Sequence, residues 1–176
     1  MPRIAFMGPM GVGKTTAIRA LCGDEMAASD VPNLDRQSHV KEFTTVGAEF
    51  GEIDLGKGER VQVCGCPGQD RFDFLRQWVI SVSVAVFVMV DANANDAVQT
   101  TGALLAEAAQ AERPPLALVL STRPASPAQM EVFVAGLQAA GHGVVPVLQV
   151  DVRKRSDVLQ ALGVLVSMLS LQSESP

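Results

Sequence analysis

Gly8-Pro9-Met10-Gly11-Val12-Gly13-Lys14-Thr15 sets spaced glycines, a lysine and a hydroxyl in one short run. Residues of these types at this spacing can hold the phosphates of a nucleoside triphosphate. Gly8 and Gly13 let the backbone turn its N–H groups toward phosphate oxygens, Lys14 can reach the terminal phosphates, and Thr15 can offer its hydroxyl to Mg²⁺. Gly11, Val12 and Thr16 complete the nucleotide-binding set. The motif needs a strand before it and a helix after it. Arg3 to Met7 is a short apolar run suited to a buried strand, and Lys14 to Cys22 carries Ile18, Leu21 and Cys22 at helical spacing. An ordinary glycine turn entering a helix is the simpler alternative; the full spacing in this context favours a P-loop.

The rest of the chain must build a scaffold around that loop. With 176 residues, 48% hydrophobic content and a mean hydropathy of +0.23, it can bury one core. A single domain over 1–171 and a disordered tail over 172–176 are expected. Runs rich in Val and Ile recur at Ile4 to Met7, Val61 to Cys64, Val82 to Val90, Leu116 to Leu120 and Val144 to Val150. Helical patterns fill most of the gaps, which predicts an α/β fold with a mostly parallel sheet and helices on both faces. Ala48 to Leu55 reads as a further strand, joined to Val61 by Gly56-Lys57-Gly58-Glu59, hence a hairpin and one antiparallel edge strand. Val158, Leu162, Leu165 and Leu169 form a stripe that should pack the last helix onto the sheet. Gly23 to Thr44 is polar and aperiodic, a length of loop that is usually functional or mobile.

A net charge of −5 and a pI near 5.0 give no electrostatic reason to bind nucleic acid or an anionic membrane. Arg153 to Arg155 reads as a solvated loop. Cys22, Cys64 and Cys66 have no zinc-site spacing, so reduced thiols in a cytoplasmic setting are expected. Signal-peptide, myristoylation and prenylation features are missing, and Val79 to Val90 is too short to span a bilayer. Membrane attachment would have to come through a partner.

Two further stretches narrow the chemistry. Thr44-Thr45-Val46-Gly47-Ala48-Glu49-Phe50-Gly51 and Pro67-Gly68-Gln69-Asp70-Arg71-Phe72 resemble the switch motifs of Ras-like small GTPases, the Rab-type "TIGxxF" and "PGQERF" stretches. The resemblance covers nearly the whole chain. It is strongest to prokaryotic Ras-like GTPases, a group that includes the gliding-motility and polarity switches and the roadblock-associated GTPases. It implies the three-layer P-loop NTPase (small G-protein) fold, GTP or GDP with Mg²⁺ as ligands, and slow hydrolysis. It also implies roles for individual residues. Thr45 would bring its hydroxyl to Mg²⁺ and its N–H to the γ-phosphate, Gly68 would sense the γ-phosphate through its backbone, and Gln69 would orient the attacking water. Gln69, Lys14 and Thr45 then form the catalytic set, with Thr15 and Thr45 on the metal. An effector or activator, such as a roadblock-type protein, would read the switch segments, where Phe72, Phe74 and Trp78 form either an exposed apolar surface or part of the core.

Three departures stand against the matches. Gly65 occupies the position of the aspartate that holds Mg²⁺ through water; Glu49 or Asp91 could substitute, or could be a solvated strand residue and a strand-end cap. The base-reading Asn-Lys-x-Asp motif is replaced by Ser121-Thr122-Arg123-Pro124-Ala125-Ser126. Loss of that carboxylate should cost about 1.5–3 kcal/mol and relax discrimination against adenine. Arg123 either stacks on a base or is an exposed loop arginine. Asp151-Val152-Arg153 stands where the family has Ser-Ala-Lys, so Asp151 either supplies a carboxylate near the base or caps the next helix. Met10 sits where bulk hinders an incoming arginine finger, and Arg36, Lys41 and Arg71 are candidate charge donors in cis or solvated residues. His39 and His142 show no catalytic pattern. These departures keep two other functions open: a pseudo-GTPase scaffold with weak or altered nucleotide specificity, and a small-molecule kinase, whose shikimate-kinase-like phosphate loop is also close to Gly8–Thr16 but whose lid is not evident.

Overall fold

A computed structural model describes residues 1–23, 49–68 and 72–175. The elements alternate as the apolar runs require: β1 (Arg3–Met7), α1 (Lys14–Cys22), β2 (Glu49–Gly56), β3 (Glu59–Gly65), α2 (Asp73–Ser81), β4 (Ala85–Val90), α3 (Ala97–Ala109), β5 (Leu116–Ser121), α4 (Pro127–Ala139), β6 (Val147–Gln149) and α5 (Arg155–Glu174). The strands form a six-stranded sheet in the order β2-β3-β1-β4-β5-β6. Every pairing is parallel except that of β2 with β3.

Central strands of such a sheet are covered on both faces, so successive side chains feed two different layers. From β1, β4 and β5, residues Ile4, Phe6, Phe87, Leu118 and Leu120 pack with Ile18 and Leu21 of α1 and with Val158, Leu162 and Leu165 of α5. On the opposite face, Ala5, Met7, Val86, Val88 and Val119 meet Val79 and Ile80 of α2, Leu105 of α3, and Phe133 and Leu137 of α4. Three layers result, as the sequence predicts.

The hairpin has a local cause. Lys57 and Gly58 both take positive φ, at 56° and 81°, the pair of left-handed residues that a two-residue turn matched to strand twist requires. A register irregularity between Asp54 and Gly56 leaves Ile53 in the core but Leu55 at 38% exposure.

Several boundaries differ from the sequence expectation. Val79 and Ile80 belong to α2, and Val82 is its C-cap, so the fourth strand starts at Ala85. The last strand is confined to Val147–Gln149, because Pro146 has no N–H for a ladder and Val144 is 93% exposed. Finally, α5 continues to Glu174, into the stretch expected to be a tail. No glycine or proline interrupts it after Gly163, and Ser167, Ser170 and Ser173 return their hydroxyls to backbone carbonyls of the preceding turn. Among the described residues no helix is long and apolar enough to cross a membrane. Of the aperiodic stretch Gly23 to Thr44, only Gly23 is described; its N–H donates to Arg19 and ends α1.

Candidate functional site

The phosphate-binding run joins β1 to α1 at the carboxyl end of the sheet, where ligands of open α/β sheets bind. Gly13 is the N-cap of α1 in a left-handed conformation, and no side chain caps the helix. The first-turn N–H groups thus face outward at the positive end of the helix dipole, which suits an anion. A side chain at Gly13 would also strike Val152, since a Cβ there would lie 2.9 Å from its Cγ2.

Lys14 turns back over the loop and donates to the carbonyl oxygens of Gly8 at 2.5 Å and Pro9 at 3.0 Å. Burial lowers the pKa of its ammonium, an effect opposed by nearby Cys66 and Glu49. The chain leaving β3 approaches the same place. Gly68 lies so near that a Cβ on it would stand 2.9 Å from the Met10 backbone nitrogen and 3.2 Å from Lys14 Nζ.

That approach is anchored from behind. Cys66 donates its N–H to Phe6 at 2.8 Å, and burial pushes its thiol up to about 12. Arg76 of α2 donates to Glu107 of α3 at 2.7 Å, to Asp73 at 2.7 Å and to the Pro67 carbonyl at 3.4 Å. Phe74 and Trp78 lie on the outer face of α2, 56% and 49% exposed, and Phe72 is half-buried. Arg3 sits over the Trp78 ring, 5.4 Å from its centroid.

The loop after β5 grips the other side of the phosphate loop. Thr122, buried at 5% exposure, donates its hydroxyl to Val12 O at 2.7 Å. Arg123 is exposed, yet it is not left to solvent: Nη2 donates to Gly11 O at 2.9 Å and Nη1 to Thr122 O at 3.2 Å.

A cavity of about 530 Å³ opens beside this clamp, with Gly13, Thr16, Arg123, Asp151, Val152 and Arg153 on its walls. The Asp151 carboxylate accepts from Arg153 through Nε and Nη2, both at 2.9 Å, and from the Arg153 N–H at 3.1 Å. These hydrogen bonds lower its pKa from 3.8 to about 2. Asp151 does not cap the following helix, whose N-cap is Lys154; its own N–H donates to Asp157 at 3.0 Å.

The structure therefore brings Gly8, Gly11, Val12, Gly13, Lys14, Thr15, Thr16 and Gly68 around one loop and sets Arg123 and Asp151 on one cavity wall. Thr45 and Gln69, with Arg36, Lys41 and Arg71, lie outside the described residues. Glu49 and Asp91 separate cleanly. Asp91 accepts from the backbone and side-chain nitrogens of Asn93 at 2.9 and 3.0 Å and closes a turn after β4. Glu49, by contrast, accepts the Thr15 hydroxyl at 3.0 Å. Sequence reasoning gave no role to Thr122, Asp157, Arg76 or Glu107. Only the position of Thr122, at the carboxyl end of a buried strand, was a usable signal.

Oxygen donors of this kind suit Mg²⁺, which keeps several waters and takes few protein ligands besides phosphate. Among the described residues no three His, Cys, Asp or Glu side chains converge on a metal site.

Residues 3–122 match the family model described as 50S ribosome-binding GTPase. Among solved structures, the chain is similar to a bacterial selenocysteine-specific elongation factor, with 20% sequence identity and a TM-score of 0.62. The alignment covers 98% of this chain but 29% of that one, and at this identity it speaks for the fold. None of the curated proteins is significantly similar to the chain.

Proposed function

We propose, since this chain belongs to the 50S ribosome-binding GTPase family, that it is a guanine-nucleotide switch of Ras-like design that hydrolyses GTP slowly. The carrying observation is the convergence of Lys14 and Gly68 on the phosphate loop. A glycine from a second segment, close to the lysine that meets the terminal phosphates, can offer its N–H to a γ-phosphate, as distinguishing a triphosphate from a diphosphate requires. In this reading Mg²⁺ is held by Thr15 and Thr45, Gln69 orients water, and the segments Gly23 to Thr45 and Pro67 to Trp78 respond to the γ-phosphate. The exposed Phe74 and Trp78 support an effector or activator docking on α2, with a roadblock-type protein as the partner suggested by the resemblance.

The base would enter the cavity beside Arg123. Asp151 and Asp157 both line it; Asp157 already accepts the Asp151 N–H, and Asp151 is the carboxylate assigned to accept from guanine N1 and N2. Calorimetric titration of nucleotide-free protein with GTP, GDP and ATP, each with Mg²⁺, tests this. Selective tight binding of guanine nucleotides is expected; equal binding of ATP, or no binding, overturns it.

The engagement of Asp151 by Arg153 favours a second reading, a pseudo-GTPase scaffold whose base carboxylate is already satisfied. The two readings part at Lys14→Ala. A scaffold keeps its partner after this substitution, whereas a switch loses it.

A further inference from the structure

In the sheet, Glu49 on β2 stands directly opposite Gly65 on β3. Gly65 is the position at which the resembling family carries its magnesium-holding aspartate. A Cβ built on Gly65 would lie 3.7 Å from Glu49 Cβ and 3.8 Å from Glu49 Oε2. The Glu49 carboxylate thus lies within van der Waals contact of the position a side chain at 65 would start from. Its other oxygen, Oε1, accepts the Thr15 hydroxyl at 3.0 Å.

We propose that Glu49 supplies the carboxylate missing from position 65, delivered from the neighbouring strand, and so holds the divalent cation site at Thr15. This rests on the nucleotide-switch reading above. Two physical arguments support it. A hydroxyl has one proton and two lone pairs, so it can turn a lone pair to a cation only when its proton has an acceptor elsewhere; Glu49 is that acceptor. A negative charge beside the ion also strengthens its binding, and in a half-buried site that contribution is screened less than at the surface. Asp91, the other carboxylate open to this role, is committed to the Asn93 turn.

The strand pairing explains why the exchange is tolerated. Residues directly opposite in an antiparallel ladder carry their Cβ atoms on the same side of the sheet, about 4.5–5.5 Å apart. A carboxylate moved from one to the other, on a side chain longer by one methylene, still reaches the same hydroxyl. A Cβ at 65 would meet Ile18 Cδ1 at 3.0 Å, the flexible end of that side chain, which can yield to a small residue there.

The test uses the full chain loaded with a fluorescent N-methylanthraniloyl GDP and follows nucleotide release as Mg²⁺ is titrated. For Glu49→Gln, the Mg²⁺ midpoint should rise about 10- to 100-fold, while release in EDTA stays at the wild-type rate. Glu49→Asp, which keeps the charge, should shift the midpoint less. Adding Gly65→Asp to Glu49→Gln should bring it back. An unchanged midpoint in Glu49→Gln overturns the assignment and leaves the switch reading intact, as does faster release by the same factor at every Mg²⁺ concentration, which marks a purely structural residue. A wild-type protein that binds no guanine nucleotide overturns both.

Discussion

Arg123 Nη2 lies 2.9 Å from the Gly11 carbonyl oxygen, which fastens the loop after β5 to the phosphate loop across the top of the sheet. An arginine fork can reach two acceptors at fixed geometry, and here it also takes Thr122 O. Arg123→Ala should cost only about 1 kcal/mol in folding, since the contact is to neutral carbonyls and partly solvated. Nucleotide affinity should fall more than stability, with Arg123→Lys recovering part of it. Paired urea titrations and calorimetry will separate the two effects.

Thr122 has the larger structural role. Its hydroxyl is buried and donates to Val12 O at 2.7 Å. Thr122→Val keeps the shape but strips the carbonyl of this donor, so a loss of about 1–3 kcal/mol is expected in chemical denaturation.

Lys14→Ala should leave folding intact or raise the melting temperature slightly, because a desolvated ammonium is removed. Binding of GTP or GDP should drop about 10- to 150-fold, the equivalent of the 1.5–3 kcal/mol of a charged hydrogen bond. Calorimetry beside a thermal melt checks both statements.

Acid should weaken the Asp151–Arg153 contact in a defined window. The folded pKa, about 2, lies below the ordinary 3.8, so the stabilisation is fully present above pH 4 and is lost as pH falls toward 2. The urea midpoint of Asp151→Asn should therefore fall less steeply than that of the wild type between those limits. Above pH 5 the two curves should run parallel.

Thiol reactivity reports on the packing behind Gly68. Cys64 and Cys66 are buried and Cys22 is half-buried, and the Cys66 thiol is pushed up to about 12. At pH 8 a thiolate-specific reagent should modify Cys22 first and the other two only on unfolding.

What the sequence makes legible follows from range. The strand, loop and helix at Arg3–Cys22 are specified by neighbours a few residues apart, and their bounds are read correctly. The hairpin is equally local. By contrast, the extent of β6 depends on which strand it meets, and an apolar run alone overstates it. Arg123 shows the same limit at the site: its acceptor is 112 positions away, so a loop arginine and a loop clamp look identical in one dimension. Glu49 and Asp91 are both visible as carboxylates near the right strands. Only the pairing of Glu49 with Gly65 and the turn at Asn93 tell them apart.

The contact between Gly13 and Val152 couples the two ends of the proposed ligand site. A Cβ at 13 would be 2.9 Å from the valine, so the residue between Asp151 and Arg153 is moulded against the phosphate cradle. Changes at position 152 meant to alter base preference will register first as altered phosphate affinity. An engineer or a lineage seeking a new base would therefore have to vary the two loops together, and single-step routes should be scarce.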